Sequence, residues 1–248
     1  MSAAVLVLAL LPTALVASYL VGSIPWSYLI VRHVSHVDIT EHGTGNVGAM
    51  NVRRSTGSWT WFAVAVLADG LKGLVPVLMA RGAVAGFSVS GLTTPWGIAA
   101  PLLLRAGQIA GETTLSFWLI LVPPLAVLGA VMGHNYSLWL AIRNRCFRRT
   151  GKGLATGAGA LLAYDWRYFV AVVVVALLVI AVTRYMMAGQ VAAAAALPVT
   201  ALLLHSPDWP FALLMGLIVY SAHHKRFIGL LQGREPRLYV DDGSGPRG

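Results

Sequence analysis

Long apolar segments without charged residues are the feature that most constrains how this chain can fold. The candidate membrane spans are residues 4–31, 59–80, 115–141, 168–183, 186–204 and 209–223, and a shorter apolar segment covers 153–164. A helix needs about 20 apolar residues to cross a bilayer. Only 11% of the chain is charged, which is too little to cover a soluble globule, so the apolar surface must face lipid. The sequence therefore predicts an all-α, polytopic integral membrane protein.

Clusters of basic residues indicate which loops face the cytoplasm. They follow the first, third and last of the long apolar segments: Arg53 and Arg54; Arg143, Arg145, Arg148, Arg149 and Lys152; Lys225 and Arg226. Short cytoplasmic loops attract Lys and Arg. These clusters share one side only if 153–164 also crosses, which predicts about seven spans with the N-terminus outside and the C-terminus cytoplasmic. Residues 83–104 then form an external or re-entrant insertion.

The remaining composition narrows the classes of function. The net charge of +9 is divided into short clusters between apolar segments, which suits anionic lipids and anionic substrates better than nucleic acid. Cys146 is the sole cysteine, so an internal disulfide and a cysteine-based metal site are excluded. No basic region precedes residues 3–31, which favours a retained first helix over a signal peptide. We expect one membrane domain over residues 1–237 and a disordered tail over 238–248.

The first cytoplasmic loop has the composition of an anion-binding turn. Gly43, Gly45 and Gly48 let the backbone turn tightly and bring several N–H groups close to an anion. Asn46 is predicted to cap a short helix that ends before Gly57, with the positive end of that helix directed at a phosphate. From these residues alone, an ordinary glycine-rich turn between two spans explains the loop equally well.

The second cytoplasmic loop contains Gly151, Lys152 and Gly153 at the start of an apolar helix. Backbone N–H groups at a helix N-terminus and a lysine charge together favour phosphate. The segment is not a Walker A motif, because Cys146 stands where that motif needs glycine and Gly153 where it needs serine or threonine. The cytoplasmic charge bias alone explains the arginines of this loop, whereas Lys152 is predicted to bind ligand.

Polar side chains within or at the ends of the spans are further candidates. Asp69 and Lys72 lie three residues apart on one face of the second span. A structural ion pair and a catalytic role both explain such a pair at this depth. His134 and His223 end spans, where histidines are more often interfacial than catalytic, and their spacing predicts no metal site.

His33 and Asp38 have the His-x4-Asp spacing of coenzyme-A-dependent acyltransferases. A histidine oriented by an aspartate can abstract the proton of an acceptor hydroxyl. Two residues at this spacing recur by chance, however, and here they flank the end of a span. We interpret the match as a coincidence.

Motifs in the order of a known family cover most of residues 18–235. They comprise residues 22–25, 38–39, 43–54, 69–77, 128–136, 151–156 and 223–233, together with Glu235. In these segments the chain resembles the bacterial acyl-phosphate:glycerol-3-phosphate acyltransferases. The resemblance implies a multi-pass protein of the bacterial plasma (inner) membrane with a cytoplasmic active site. It also implies glycerol 3-phosphate as acceptor, acyl phosphate as donor, lysophosphatidic acid as product, and no cofactor or metal.

The resemblance further implies roles for individual residues. Thr44, which stands at a serine position of the family, and Arg54 would be catalytic, together with Lys152 and His223. Substrate or phosphate would be bound by Gly43, Gly45, Asn46, Gly48, Asn51, Gly151, Gly153 and Thr156. Asp69, Lys72, His134 and Glu235 would support the site.

The chain departs from the family pattern at several positions. Thr150 replaces a glycine in a lengthened loop, Arg226 and Gly229 replace an asparagine and an arginine, and residues 83–112 form an insertion. These departures, with Thr44, leave open a paralogue that acylates another polyol phosphate. A transporter or phosphate-binding membrane module is the alternative from a different class. Repeat-related halves, which are typical of transporters, are not found in this sequence.

Overall fold

In the computed structural model, residues 3–85, 110–206 and 208–235 are described, and they form helices and loops without a strand. The helices of this part of the chain are α1 (Ala3–Gly22), α2 (Trp26–Ser35), α3 (Ala49–Thr56), α4 (Trp59–Ala85), α5 (Ala110–Asn135), α6 (Leu138–Asn144), α7 (Leu154–Tyr164), α8 (Trp166–Thr183), α9 (Met186–Leu203) and α10 (Trp209–Leu231). The prediction of an all-α protein is confirmed.

The helices that are apolar enough to cross a membrane coincide with the predicted spans. Within the described residues, five segments have the required length and composition: Leu8–Ser35, Trp59–Val84, Trp118–Asn144, Trp166–Thr183 and Met186–Leu203. Shorter apolar helices cover Leu154–Tyr164 and Trp209–Ser221. Residues 86–104 of the predicted insertion and the predicted tail at 238–248 lie outside the described residues.

The first predicted span, residues 4–31, is interrupted, because it consists of two helices. α1 ends at Gly22 and α2 begins at Trp26. Pro25 causes the break, because its nitrogen carries no hydrogen and its ring disfavours a helical conformation at Ile24. The apolar sequence continues across this point, so hydropathy alone does not reveal the interruption.

The break in the first span leaves main-chain carbonyls that side chains from other helices bind. The Ser137 hydroxyl, at the N-cap of α6, donates to the Ser23 carbonyl at 2.5 Å. The Lys72 ammonium, on α4, donates to the Ile24 carbonyl at 2.8 Å. A helix interruption at membrane depth is tolerated where neighbouring groups satisfy the released backbone in this way.

Glycines allow two close helix contacts in the first compact unit, Met1–Trp166. α1 packs on α5 at Gly22, Gly129 and Gly133, and a Cβ at any of them would overlap main-chain atoms of the other helix. α4 packs on α7 in the same way at Gly73 and Gly159. Small residues at helix contacts are typical of membrane proteins, because they let the backbones approach closely. The second contact fixes α7, the helix that follows the second cytoplasmic loop.

The second compact unit, Arg167–Gly248, contains α9 and α10 and nearly all of α8. α9 and α10 pack together where a Cβ on Gly216 would lie 2.7 Å from the Ala194 carbonyl oxygen. At the start of α10, the Asp208 carboxylate accepts hydrogen bonds from the Tyr168 hydroxyl at 2.8 Å and from the Ser206 hydroxyl. These bonds tie the beginning of α10 to α8.

Candidate functional site

The two glycine-rich loops are in direct contact, although α3 to α6 separate them in sequence. We call residues 43–48 the first glycine loop and residues 150–153 the second glycine loop. The Val47 N–H donates to the Thr150 carbonyl at 2.8 Å. Val47 is only 5% exposed, so the residue that makes this contact packs in the protein interior. The two predicted anion-binding loops therefore form one continuous region.

Asn51, on α3, holds the first glycine loop in its shape. Its side-chain amide donates to the carbonyls of Ile39 at 3.2 Å and His42 at 2.9 Å. Its Oδ1 accepts the Thr44 N–H at 3.2 Å. Asn51 is only 1% exposed, so it shapes the loop from inside. Gly43 has φ +58°, in the left-handed region that favours glycine.

α3 begins after Gly48, so the prediction that Asn46 caps this helix is wrong. Gly48 stands at the N-cap position, and its N–H bonds to the Asn46 main-chain carbonyl instead. A Cβ on Gly48 would lie 2.9 Å from the Asn46 side-chain nitrogen. The predicted end of the helix is confirmed, because Gly57 has φ +71° and its N–H bonds to Arg53. No side chain caps the N-terminus of α3, which leaves that end suited to an anion.

Within residues 43–56, Thr44 and Arg54 are the exposed polar residues. A Cβ on Gly43 would lie 3.6 Å from the Arg54 Cδ, so the Arg54 side chain passes beside the first glycine loop. The neighbouring Arg53 instead places its guanidinium 4.7 Å from the centre of the Trp59 ring. A hydroxyl and a guanidinium are thus presented from the same short segment.

The end of α5 fixes the second glycine loop. The Asn135 carbonyl accepts the N–H groups of Thr150 at 2.8 Å and Gly151 at 3.4 Å. Gly153 has φ +73° and directly precedes α7, so the loop opens a helix as predicted. Lys152, between the two glycines, is half-buried. This arrangement places a lysine beside the N-terminus of α7.

The arginines of the second cytoplasmic loop differ in their surroundings. Arg145 and Arg148 are exposed, whereas Arg149 is half-buried and donates from Nε to the Gly151 carbonyl at 3.0 Å. Burial lowers the pKa of the Arg149 guanidinium, which starts so high that the group stays charged. Arg149 therefore adds a positive charge next to Lys152.

An ion pair connects the segment before the first glycine loop to α6. The Arg143 guanidinium lies 2.8 Å from the Asp38 carboxylate and 4.7 Å from the centre of the Tyr28 ring. Thr40 donates to the same carboxylate from its N–H at 2.9 Å and its hydroxyl at 2.6 Å. Partial burial alone would raise the pKa of Asp38, but the hydrogen bonds from Thr40 and Arg143 hold it below its usual range. These bonds engage the Asp38 carboxylate with Thr40 and Arg143.

A buried polar cluster lies beneath the second glycine loop, and we call Asp69, Lys72, His134 and Thr156 the His134 cluster. Asp69 and Lys72 form an ion pair at 2.9 Å, with side chains 3% and 4% exposed. The His134 Nδ1 lies 3.7 Å from the Asp69 carboxylate and 3.1 Å from the Thr156 hydroxyl. Thr156, which is predicted to bind phosphate, is completely buried, and its hydroxyl contacts the His134 ring instead of solvent.

Two contributors to this region were not among the predicted residues. The Ser27 hydroxyl donates to the Asp69 carboxylate at 3.4 Å, and Asn135 acts through its main-chain carbonyl. Asn135 falls in the 128–136 motif, which could have drawn attention to it, whereas nothing in the sequence distinguishes Ser27. Among the described residues, no group of His, Cys, Asp and Glu side chains is placed to hold a metal ion.

His223 and Glu235, the remaining predicted site residues, belong to the second compact unit. His223 lies on α10 and is 2% exposed. Glu235 follows α10 and accepts hydrogen bonds from Arg226 Nε at 2.9 Å and Nη2 at 2.5 Å. A Cβ on Gly229 would lie 3.7 Å from a Glu235 carboxylate oxygen. The two departures from the family pattern in α10 therefore face the same carboxylate.

Comparison with known sequences matches nearly the whole chain. Residues 12–233 match the family described as "Glycerol-3-phosphate acyltransferase". A glycerol-3-phosphate acyltransferase of Gluconobacter oxydans is 34% identical over 232 residues, which cover 92% of each chain. One from Gloeobacter violaceus is 35% identical over 224 residues, which cover 90% of this chain and 92% of the relative.

Comparison with solved structures gives the same result for the fold. A crystal structure of PlsY, an integral membrane glycerol 3-phosphate acyltransferase, in its glycerol 3-phosphate form has a TM-score of 0.69 at 25% identity, with 92% of this chain and 95% of that chain covered. Its lysophosphatidic acid form has a TM-score of 0.66 at 26% identity, with 93% and 94% covered. Sequence and fold are thus similar over nearly the full length of both chains.

Proposed function

The chain belongs to the glycerol-3-phosphate acyltransferase family, and on this basis we propose that it transfers a fatty acyl group from acyl phosphate to glycerol 3-phosphate. The product is lysophosphatidic acid for phospholipid synthesis. The observation that carries the proposal is the hydrogen bond from Val47 to Thr150, which joins the two glycine loops. Family membership confirms the resemblance drawn from the sequence motifs.

Phosphate recognition follows from the groups that these loops present. The Gly153 N–H, the N-terminus of α7 and the Lys152 ammonium together favour an anion, and Gly151 lets the backbone of the loop approach it. Arg54 adds a planar guanidinium suited to two phosphate oxygens. We assign Lys152 and the glycines to phosphate, and Thr44 and Arg54 to the glycerol 3-phosphate acceptor or the reacting groups.

The proposed reaction is a single acyl transfer without a cofactor. The acceptor hydroxyl oxygen forms a bond to the acyl carbonyl carbon, and the bond between that carbon and the phosphate oxygen breaks. The departing inorganic phosphate takes the hydroxyl proton, and Lys152 and Arg54 stabilise the developing negative charge. His223 is assigned to the same reaction from its position in the family motif.

We place the site at the cytoplasmic face of the bacterial inner membrane, in a single domain over residues 1–237. Both glycine loops are flanked by basic clusters, Arg53 and Arg54 in one case and residues 143–152 in the other. Basic loops stay cytoplasmic. The seven apolar segments then cross the membrane with the N-terminus outside. Membrane lipids surround these segments and receive the product.

The decisive experiment compares acyl donors on the purified protein. Palmitoyl phosphate or palmitoyl-CoA is supplied with labelled glycerol 3-phosphate, and labelled lysophosphatidic acid is followed by mass spectrometry. Product from palmitoyl phosphate alone is expected. Product from palmitoyl-CoA alone would contradict the donor assignment and return attention to His33 and Asp38.

An acceptor screen separates the remaining alternatives. If glycerol 3-phosphate stays unmodified by folded protein, other polyol phosphates are offered with palmitoyl phosphate. An acylated product from one of them would identify a paralogue with a different acceptor. Uptake of unmodified glycerol 3-phosphate into proteoliposomes would instead indicate a transporter.

A further inference from the structure

The His134 cluster joins the membrane-embedded part of the first unit to the second glycine loop. Asp69 and Lys72 lie on α4, His134 lies near the end of α5, and Thr156 lies in the first turn of α7. The Lys72 ammonium also binds the Ile24 carbonyl at the break in the first span. The cluster therefore joins α4, α5 and α7 to the break in the first span.

The His134 imidazole has a different partner on each edge. Its Nδ1 edge faces the Asp69 carboxylate at 3.7 Å and the Thr156 hydroxyl at 3.1 Å. Its opposite edge lies against Gly151, where a Cβ would overlap the ring atoms Nε2 and Cδ2. The ring is held by Thr156 on one edge and packs against the Gly151 backbone with the other. A shift of the ring would therefore displace that backbone.

The main chain of His134 holds the same loop. Its carbonyl lies 3.3 Å from the Thr150 hydroxyl, which donates to it, and the next carbonyl, that of Asn135, accepts the Thr150 N–H. The loop is therefore positioned by the His134 ring together with the carbonyls of His134 and Asn135. Because anion-binding N–H groups act through their direction, a small displacement of Gly151 would redirect those of the residues that follow it.

We propose that Asp69, Lys72 and Thr156 are positioning residues that set the affinity of the second glycine loop for phosphate through the His134 ring. The proposal rests on the proposed function, since it concerns the phosphate of glycerol 3-phosphate. It assigns no contact between these side chains and the substrate, because all three residues are buried. Measured over the whole residue, Thr156 is 0%, Asp69 2% and Lys72 5% exposed.

The ion pair explains how a carboxylate can be buried in the His134 cluster. A lone Asp69 at this depth would be costly, and Lys72 neutralises it. Lys72 in turn donates another of its three ammonium hydrogens to the Ile24 carbonyl at the helix break. The carboxylate can then stand beside His134 without introducing a net charge.

The test uses Thr156→Val, which removes the hydroxyl at nearly constant volume, and Thr156→Ser, which restores it. We expect Thr156→Val to raise KM for glycerol 3-phosphate about tenfold, the equivalent of one hydrogen bond, with kcat little changed. Thr156→Ser should return KM to within about twofold of the wild type. Thr13→Val is the matched control, because that exposed hydroxyl donates to the Ala9 carbonyl in its own helix.

A second variant tests the cluster away from the loop. Asp69→Asn combined with Lys72→Met removes both charges, so no uncompensated charge stays buried. We expect this double variant to fold and to have a higher KM for glycerol 3-phosphate than the wild type. A lowered thermal unfolding temperature with an unchanged KM, in both this variant and Thr156→Val, would show that the cluster is only structural and would overturn the proposal.

A binding measurement separates this proposal from the proposed function. The rise in unfolding temperature caused by glycerol 3-phosphate reports binding without turnover. If the wild type binds but forms no product, the proposed function fails, and a smaller rise in Thr156→Val than in Thr156→Ser still supports the positioning role. If the wild type shows no rise, the positioning role is overturned as well.

Discussion

At the scale of single residues, Lys152 carries the clearest expectation. It lies between Gly151 and Gly153, directly before α7. A cation at this position stabilises charge that develops on a phosphate, and removing one such group typically lowers the rate about a hundredfold or more. We expect Lys152→Ala to reduce kcat by this amount in the palmitoyl phosphate assay.

The matched control is Arg148→Ala in the same loop. Arg148 is exposed, and the cytoplasmic charge bias accounts for it. Its replacement should leave kcat within about twofold. Equal losses in both variants would show that the loop acts through its total charge, and Lys152 would lose its specific role.

Arg226 and Gly229 give a second prediction at this scale. Arg226 binds Glu235 through two hydrogen bonds, and Gly229 faces the same carboxylate one turn later in α10. An arginine at position 229, as in the family pattern, would reach Glu235 from there. We expect Arg226→Asn to lower the unfolding temperature by a few degrees and an added Gly229→Arg to restore it.

The control for this exchange is Gly229→Ala in the Arg226→Asn background. Alanine in place of glycine stabilises a helix by about 1 kcal/mol without any charge. Full restoration by alanine would mean that helix propensity, rather than the ion pair with Glu235, explains the recovery. Circular dichroism of the detergent-solubilised protein measures all of these temperatures.

At the scale of helices, the contact between α4 and α7 determines where the second glycine loop lies. A Cβ on Gly73 would overlap the Thr156 carbonyl, a main-chain group that cannot rotate away as a side chain can. We expect Gly73→Ala to destabilise the fold by about 1–3 kcal/mol. Gly82, on the same helix, has open space around it, so Gly82→Ala should be neutral or stabilising. A neutral Gly73→Ala would contradict the close contact.

The helices also show what a sequence can predict for such a protein. The apolar segments predicted the spans, because contact with lipid demands apolar residues along a whole helix. The break at Pro25 was missed, since both of its sides are apolar and one proline does not always interrupt a membrane helix. The sequence predicts Asn46 as the cap of α3, whereas Gly48 occupies that position. Both residue types are common at the N-cap, so the sequence does not distinguish them.

The candidate site was predictable only where its chemistry depends on residue type. Glycines predict an anion site in the first loop, and glycines with Lys152 predict one in the second loop. The contact between the loops uses main-chain atoms of Val47 and Thr150, and such atoms leave no signature in a sequence. The role of His134 beneath Gly151 was equally hidden, because it depends on how α4, α5 and α7 pack.

At the scale of the whole molecule, the orientation in the membrane is open to a direct test. Cys146 is the sole cysteine, and it is exposed in the loop between α6 and α7, which we propose to be cytoplasmic. An impermeant maleimide should label it in inverted vesicles and leave it unlabelled in intact spheroplasts. Labelling in spheroplasts would place both glycine loops outside and contradict the proposed topology.

Two further positions complete this test in a Cys146→Ser background. Gly245→Cys should behave as Cys146 does, because we place the C-terminus in the cytoplasm. Ser2→Cys should label from the outside. The same result for both termini would mean an even number of crossings, and the short helix α7 would then not count as a span.

The bond between Val47 and Thr150 has a consequence for how the sequence of such a protein can drift. A hydrogen bond between an N–H and a carbonyl is indifferent to the side chains on either side of it. Position 150 can therefore change over generations while this bond between the loops persists. Thr150, one of the positions at which this chain differs from its family pattern, lies at the contact, yet the bond from Val47 does not depend on its side chain.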